Sequence, residues 1–306
     1  MKPYTLILTI LLALTAQSCF TGVDSTPRIK QSEVRRSQPQ SKAEDTYLQD
    51  IRRQSVDQWQ PGKPFWVSDE RISVALNLPA SQSGLSEGDT IYYRGLEEIT
   101  TVTGERVAVV ILTDSRGREL RYRTASELRQ LRENGFLEIP YAIDLDIVNQ
   151  LRGRLQGQTY YLMTQSVYDL QGQPARHSRF IPVRVELVEP GNAYYPARLT
   201  LIDERGQQFR LFMSIDSDQR MPRRFAAMLS LSDPRLRYPQ ISDSNWRSIV
   251  NGRVAEGMTQ EEARLAIGSP ANIDQQPGYS YLREVWTYDG GIYLIFEDGI
   301  LRAFRQ

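Results

Sequence analysis

The sequence predicts a mainly β protein of the α+β class: two tandem small antiparallel β-barrel modules, then a unit of two helices and three strands. Three observations lead there. One hairpin with the same turn occurs twice, the segments around it alternate apolar and polar residues, and from residue 243 the chain changes to helical spacing before ending in short strands.

The repeated hairpin is Leu112–Tyr122 and Leu201–Leu211, joined by Asp114-Ser115-Arg116-Gly117 and Asp203-Glu204-Arg205-Gly206. An Asp-x-Arg-Gly stretch between alternating strands is a hairpin signal. Leu120 and Tyr122, like Phe209 and Leu211, alternate with polar residues, so each strand has a buried and a wet face. Gly88–Tyr93 matches Gly157–Leu162 as the opening strand of each copy, and Phe180–Val185 reads as an extra piece in the longer second copy. Each strand set is expected to close on itself at SH3-like size, which removes exposed edges. The first module spans 61–140, and the second, with its connector, 141–240. Ser126–Leu131 predicts a short amphipathic helix between the repeated segments, and Asp233-Pro234 and Tyr238-Pro239 mark the connector.

In the last unit, 241–306, Trp246, Ile249 and Val250 share a helical face that ends at Gly252. Thr259-Gln260-Glu261-Glu262 is a capping box. Ala263, Ala266 and Ile267 form the face of that second helix, Gly268 is placed as its left-handed terminator, and Pro270 forbids continuation. Strands follow at Glu284–Tyr288, Ile292–Glu297 and Ile300–Phe304.

The N-terminus carries a different message. Lys2 precedes the apolar run Leu6–Leu14, and small residues lead to Cys19, the sole cysteine. This is the grammar of a secretory signal, too short in its apolar part to span a bilayer stably. A lone cysteine at the cleavage point predicts a lipoprotein signal over 1–18, with Cys19 acylated as the first mature residue. Residues 19–60 then read as a solvated, largely disordered tether with an r.m.s. reach of roughly 35 Å, with a helical turn at Tyr47–Ile51.

Composition narrows function further. Lys+Arg and Asp+Glu are both 37 in 306 residues, a balance that argues against nucleic-acid binding. With one histidine and one cysteine, no metal or other cofactor is expected and no catalytic residue is assigned. His177 lies in a polar turn without a Gly-x-Ser-x-Gly elbow and reads as an exposed loop residue. Asp144 with Asp146, and Asp216 with Asp218, lack the run of oxygen ligands of a calcium loop and read as solvated acids. The arginines at 220, 223, 224, 235 and 237, with Asp218 and Asp233, read as a partly salt-bridged connector rather than a docking patch. Tyr92-Tyr93, Tyr160-Tyr161 and Tyr194-Tyr195 are placed in core and rim.

Gly257-Met258-Thr259-x-x-Glu262-Ala263, Ile267-Gly268-Ser269-Pro270, Glu284–Tyr288 and Tyr293-Leu294-x-Phe296-x-x-Gly299 together resemble the SmpA/OmlA (BamE-like) lipoprotein domain. The resemblance covers about a fifth of the chain. It implies a lipid-anchored protein of the bacterial outer membrane, facing the periplasm, that works as a non-enzymatic scaffold in outer-membrane assembly or maintenance. Its expected partners are the membrane, through the lipid on Cys19, and other envelope proteins. The same layout is similar to repeats of proteinaceous β-lactamase inhibitors, so an inhibitor is one alternative. A cell-wall glycan binder working through the SH3-like modules is another.

Overall fold

A computed structural model describes residues 43–79, 84–215, 222–278 and 282–306, all within the unit 42–306. Cys19 and its signal, Asp216, Asp218 and Arg220 lie outside the described residues. The strands form three antiparallel sheets, each with its own core. None of them closes: each sheet is a linear strand order with two ends, so the expected barrels are corrected to open sheets.

The described chain starts with helix α1 (Ala43–Thr46). This segment departs from the tether expected over 19–60, because its residues are packed. The buried Glu44 carboxylate accepts from the Ser230 hydroxyl and the Leu231 amide, at 2.8 and 3.1 Å. Asp45 pairs with Arg224 at 2.5 Å, and the Tyr47 hydroxyl bonds that of Tyr160. Ile51 enters one core, while Val56 and Trp59 enter another.

Five strands make the first sheet: β1 (Pro64–Val67), β2 (Thr90–Thr100), β3 (Arg106–Asp114), β4 (Glu119–Arg123) and β5 (Ala142–Asp144), ordered β4-β3-β2-β1-β5. Because β5 pairs with β1, this module runs past its expected end at residue 140. Val107–Leu112 is a continuous apolar run, and every residue of it is buried in an interior strand. Helix α2 (Ile72–Ala75) and helix α3 (Leu128–Asn134) accompany the sheet. The latter takes the place of the helix predicted at 126–131 and is ended by Gly135 at φ +77°.

Next comes helix α4 (Leu145–Leu155), absent from the sequence reading. Asp144 caps it by accepting from the Asp146 amide at 2.9 Å, and Ile147, Val148, Leu151 and Leu155 are its buried stripe. It packs against the second sheet: β6 (Thr159–Leu162), β7 (Ser166–Tyr168), β8 (Pro174–Arg176), β9 (Pro182–Pro190), β10 (Ala197–Asp203), β11 (Gln208–Met213) and, after helix α5 (Phe225–Met228), β12 (Leu229–Ser230). The order is β12-β6-β9-β10-β11-β7-β8. The repeat holds for the hairpins, since β10–β11 reproduces β3–β4. However, β9 holds the place that β2 holds beside its hairpin, and β6 does not. Phe180–Val185 therefore leads into a central strand rather than being an insertion.

The last unit contains helix α6 (Asp243–Val250), helix α7 (Gln260–Ile267) and strands β13 (Asn272–Pro277), β14 (Leu282–Thr287), β15 (Tyr293–Glu297) and β16 (Ile300–Arg305). The capping box forms as expected: the Glu262 amide donates to Thr259 Oγ1 at 3.2 Å, and the Thr259 amide to Glu262 Oε2 at 2.7 Å. Gly268 has positive φ, +90°, but its ψ of −173° is extended, so it is not the left-handed residue predicted. The sheet has four strands rather than three, because β13 pairs along β14. Trp286, Leu294, Phe296 and Leu301 form the core with α6 and α7, and Phe180 joins them from the second module.

Candidate functional site

The Asp-x-x-Gly turns show how side chains are positioned here. In the first copy Asp114 Oδ1 accepts the amides of Arg116 and Arg118, at 3.0 and 2.8 Å. In the second, Asp203 Oδ1 accepts those of Arg205 and Gln207, at 2.9 and 2.8 Å. A third such turn, with Gln171 where the other two have arginine, joins β7 to β8, and Asp169 Oδ1 takes the amides of Gln171 and Gln173. Gly117, Gly172 and Gly206 all sit near φ +82°, where a side chain would be strained. The copies differ at the second carboxylate oxygen. Asp114 Oδ2 is taken by Arg118 Nε at 3.1 Å, but Gln207 stands at the matching place in the second copy. There Asp203 Oδ2 faces His177 Nε2 at 3.4 Å.

His177 is thus not an exposed loop residue. Its side chain is 6% exposed and its ring stacks on Phe209 with centroids 4.2 Å apart. The structural reason is that β11 brings Phe209 under the loop after β8. Nδ1 lies 3.1 Å from the Ser178 carbonyl oxygen, and Nε2 has no hydrogen-bond partner. The adjacent Ser178 hydroxyl donates to Asn251 Oδ1 at 2.9 Å, so it is directed away from the ring. A nucleophile–base contact is the first requirement of triad chemistry, and the described hydroxyls make none with this imidazole.

The other sequence candidates also take definite places. Asp144 and Asp146 are not simply solvated acids: both hold Lys63 Nζ, at 2.9 and 2.6 Å. Lys63 is 3% exposed and gives its remaining proton to Gln54 Oε1 at 3.2 Å, with the ammonium over the rings of Trp59 and Phe65. Of the basic connector, Arg224 pairs with Asp45, Arg237 with Glu44 and Arg235 with Asp243, so those three are salt-bridged as read. Arg223 Nε bonds the Phe212 carbonyl at 2.7 Å. Tyr93 and Tyr160 are core residues, whereas Tyr194 is 77% exposed. Among the described residues no cluster of three or more His, Cys, Asp or Glu is placed to hold a metal ion, and no helix is long and apolar enough to cross a membrane.

A cleft of ≈ 550 Å³ lies where the first sheet meets the β9–β10 hairpin. Trp59 and Phe65 line its floor, and Tyr141 and Tyr194 also contribute to it. Tyr141 has φ +63°, a costly conformation for a bulky residue. The backbone holding it is fixed by Ser68, whose amide and hydroxyl both donate to the Tyr141 carbonyl, at 2.9 and 3.0 Å. The Arg71 guanidinium lies 4.8 Å from the Tyr141 ring centroid. Arg71 is itself clamped by Asp69, whose carboxyl is held down at about 2 by hydrogen bonds from the Arg71 side chain and backbone. The hairpin carrying Tyr194 is shaped by Asn192 Oδ1, which accepts the amides of Tyr194 and Tyr195. Gly191 admits no side chain, because a Cβ there would lie 2.0 Å from the Tyr195 carbonyl oxygen.

The charges around this cleft are already paired, Lys63 with Asp144 and Asp146, and Arg53 with Glu138. What it offers an incoming molecule is aromatic surface with a few fixed polar groups, the composition of a binding cleft. The sequence named Tyr194 among its aromatic pairs but gave no sign of the cleft, whose walls come from four separated stretches of chain. No family model, no curated protein and no solved structure matches this chain.

Proposed function

We propose that this protein is a lipid-anchored envelope protein, acylated at Cys19 and held at the outer membrane on its periplasmic side. In this reading it is a non-enzymatic scaffold that binds other envelope proteins during assembly or maintenance of that membrane. The observation that carries the binding role is the ≈ 550 Å³ aromatic cleft whose ionisable groups are spent on one another. The apolar run ending at Cys19 supports the location, and the SmpA/OmlA resemblance in the last unit supports the process. A photocrosslinking amino acid placed at Tyr194, in cells, tests it. Envelope proteins should be captured there and not from the same probe at Val102, an exposed residue of the β2–β3 hairpin. Equal capture from both positions would remove the cleft from the argument.

A second reading is favoured by one observation. An exposed tyrosine beside a second aromatic suits stacking against a sugar ring. Under that reading Tyr194→Ala weakens sedimentation with purified peptidoglycan. Under the protein-scaffold reading there is no sedimentation to weaken.

A further inference from the structure

A second cleft, of ≈ 430 Å³, opens where the second sheet meets α6. We propose that it binds a phosphate-type oxyanion. Three arginines from three elements line it: Arg176 at the end of β8, Arg205 in the β10–β11 turn and Arg247 on α6. Each side chain keeps donors to spare. Arg176 gives one bond to Gln165 Oε1 at 2.8 Å, and Arg247 gives one to the Asp243 carbonyl on its own helix at 3.3 Å. None of the three pairs with a carboxylate among the described residues, unlike Arg224, Arg235 and Arg237 nearby in the chain.

Two acids share the cleft, and one of them is engaged. Asp203 Oδ1 accepts from two backbone amides, and Oδ2 is turned toward His177. Glu204 is exposed at the turn. Positive charge therefore predominates. The neighbouring Arg179 feels it: burial first, and then the charge of Arg176, hold its guanidinium below the ordinary value. Guanidinium forks bind phosphate through paired N–H donors, and three forks supplied by three separate elements match the several oxygens of a tetrahedral group. His177 forms part of the same wall, with Nε2 3.4 Å from Asp203 Oδ2, so its ring reports on what enters the cleft. The phosphate belongs either to a lipid headgroup or to a soluble phosphate ester.

The test uses the full lipidated chain in neutral detergent micelles, expressed without a histidine tag. Inorganic pyrophosphate and, separately, short-chain phosphatidic acid below its micellar concentration are titrated in by calorimetry. The chain has one histidine, so a parallel NMR titration of ¹³C-labelled imidazole reports on His177 alone. Saturable binding is expected, with a moving His177 signal. Arg205→Gln combined with Arg247→Gln should weaken it at least tenfold, about 1.4 kcal/mol. Both side chains are exposed, so the fold should survive, and an unchanged melting temperature verifies this. Arg116→Gln, at the matching turn of the first copy, should have no effect. Tenfold tighter binding of phosphatidic acid assigns the site to a headgroup, and equal binding assigns it to soluble esters. No saturable binding of either probe, a still His177 signal, or equal loss with Arg116→Gln overturns the proposal.

Discussion

Replacing Lys63 by Met tests what holds the first two modules together. Lys63 precedes β1, while its partners Asp144 and Asp146 cap and open α4, so this ammonium joins the first sheet to the helix of the second. Met keeps an unbranched stem over Trp59 and Phe65 and removes only the charge and its three donated bonds. Removing one member of a buried ion pair typically costs roughly 3–5 kcal/mol, because the abandoned charge stays behind. Asp146 is 36% exposed and water relieves part of that penalty, so the low end applies, about 3 kcal/mol. At roughly 2–4 °C per kcal/mol for a chain above 150 residues, the melting temperature should fall by roughly 6–12 °C. High salt should not restore it, since a group 3% exposed is poorly screened. Adding Asp144→Asn and Asp146→Asn removes the stranded charges and keeps a capping oxygen on residue 144, so the triple variant should recover more than half of the loss. The measurement is thermal and urea denaturation of the three proteins side by side. A single variant within about 1 kcal/mol of the parent, or a triple variant no better than the single, refutes the network as the joint.

Glu44 gives a pH test. Burial alone would raise its carboxyl, but hydrogen bonds from its surroundings, including Ser230 and Leu231, leave it below the ordinary 4.5. Its stabilisation is therefore complete above that ordinary value and is lost as pH falls through the lower folded one. Hydrogen exchange over residues 43–51 should accordingly be slow at pH 7 and fast at that pH in Glu44→Ala, with the parent losing protection only in acid. Thr259→Ala should cost about 1 kcal/mol through the lost cap, and Gly268→Val should cost more by forcing a β-branched residue to φ +90°. Both are read as melting temperatures of the full chain, because a fragment from residue 240 would lack Phe180 from its core. Cys19→Ser should move the protein from the detergent phase to the aqueous phase in phase separation, and retention in the detergent phase would count against acylation.

What was legible in the sequence was local. The α7 capping box needs only Thr259 and Glu262 three residues apart, and the β10–β11 hairpin needs only its turn and alternation. Helix α4 has equally local signals, Asp144 as cap and Ile147, Val148, Leu151 and Leu155 as stripe, but reading Asp144 and Asp146 as solvated acids hides the cap. Strand β13 had none. Asn272, Asp274, Gln275 and Gln276 are poor strand formers, and β14 alone holds them in register at an exposed edge. Barrel closure depends on whether distant strands meet, and no local pattern encodes that.

The functional candidates fall on the same line, with one instructive exception. The aromatic cleft joins residues near 59, 141, 194 and 215, whose proximity only the fold creates. The burial of His177, by contrast, has a trace in the sequence. The two repeated turns share Asp-x-Arg-Gly, and the residue that follows it is Arg118 in the first and Gln207 in the second. Arginine at that position closes the turn on itself by taking the free oxygen of Asp114. Glutamine leaves Asp203 with an oxygen to spend, and the only histidine of the chain stands 3.4 Å from it. Arg118 is the residue that satisfies the turn's own carboxylate, so its replacement by Gln207 marks where the second copy has been given something else to hold.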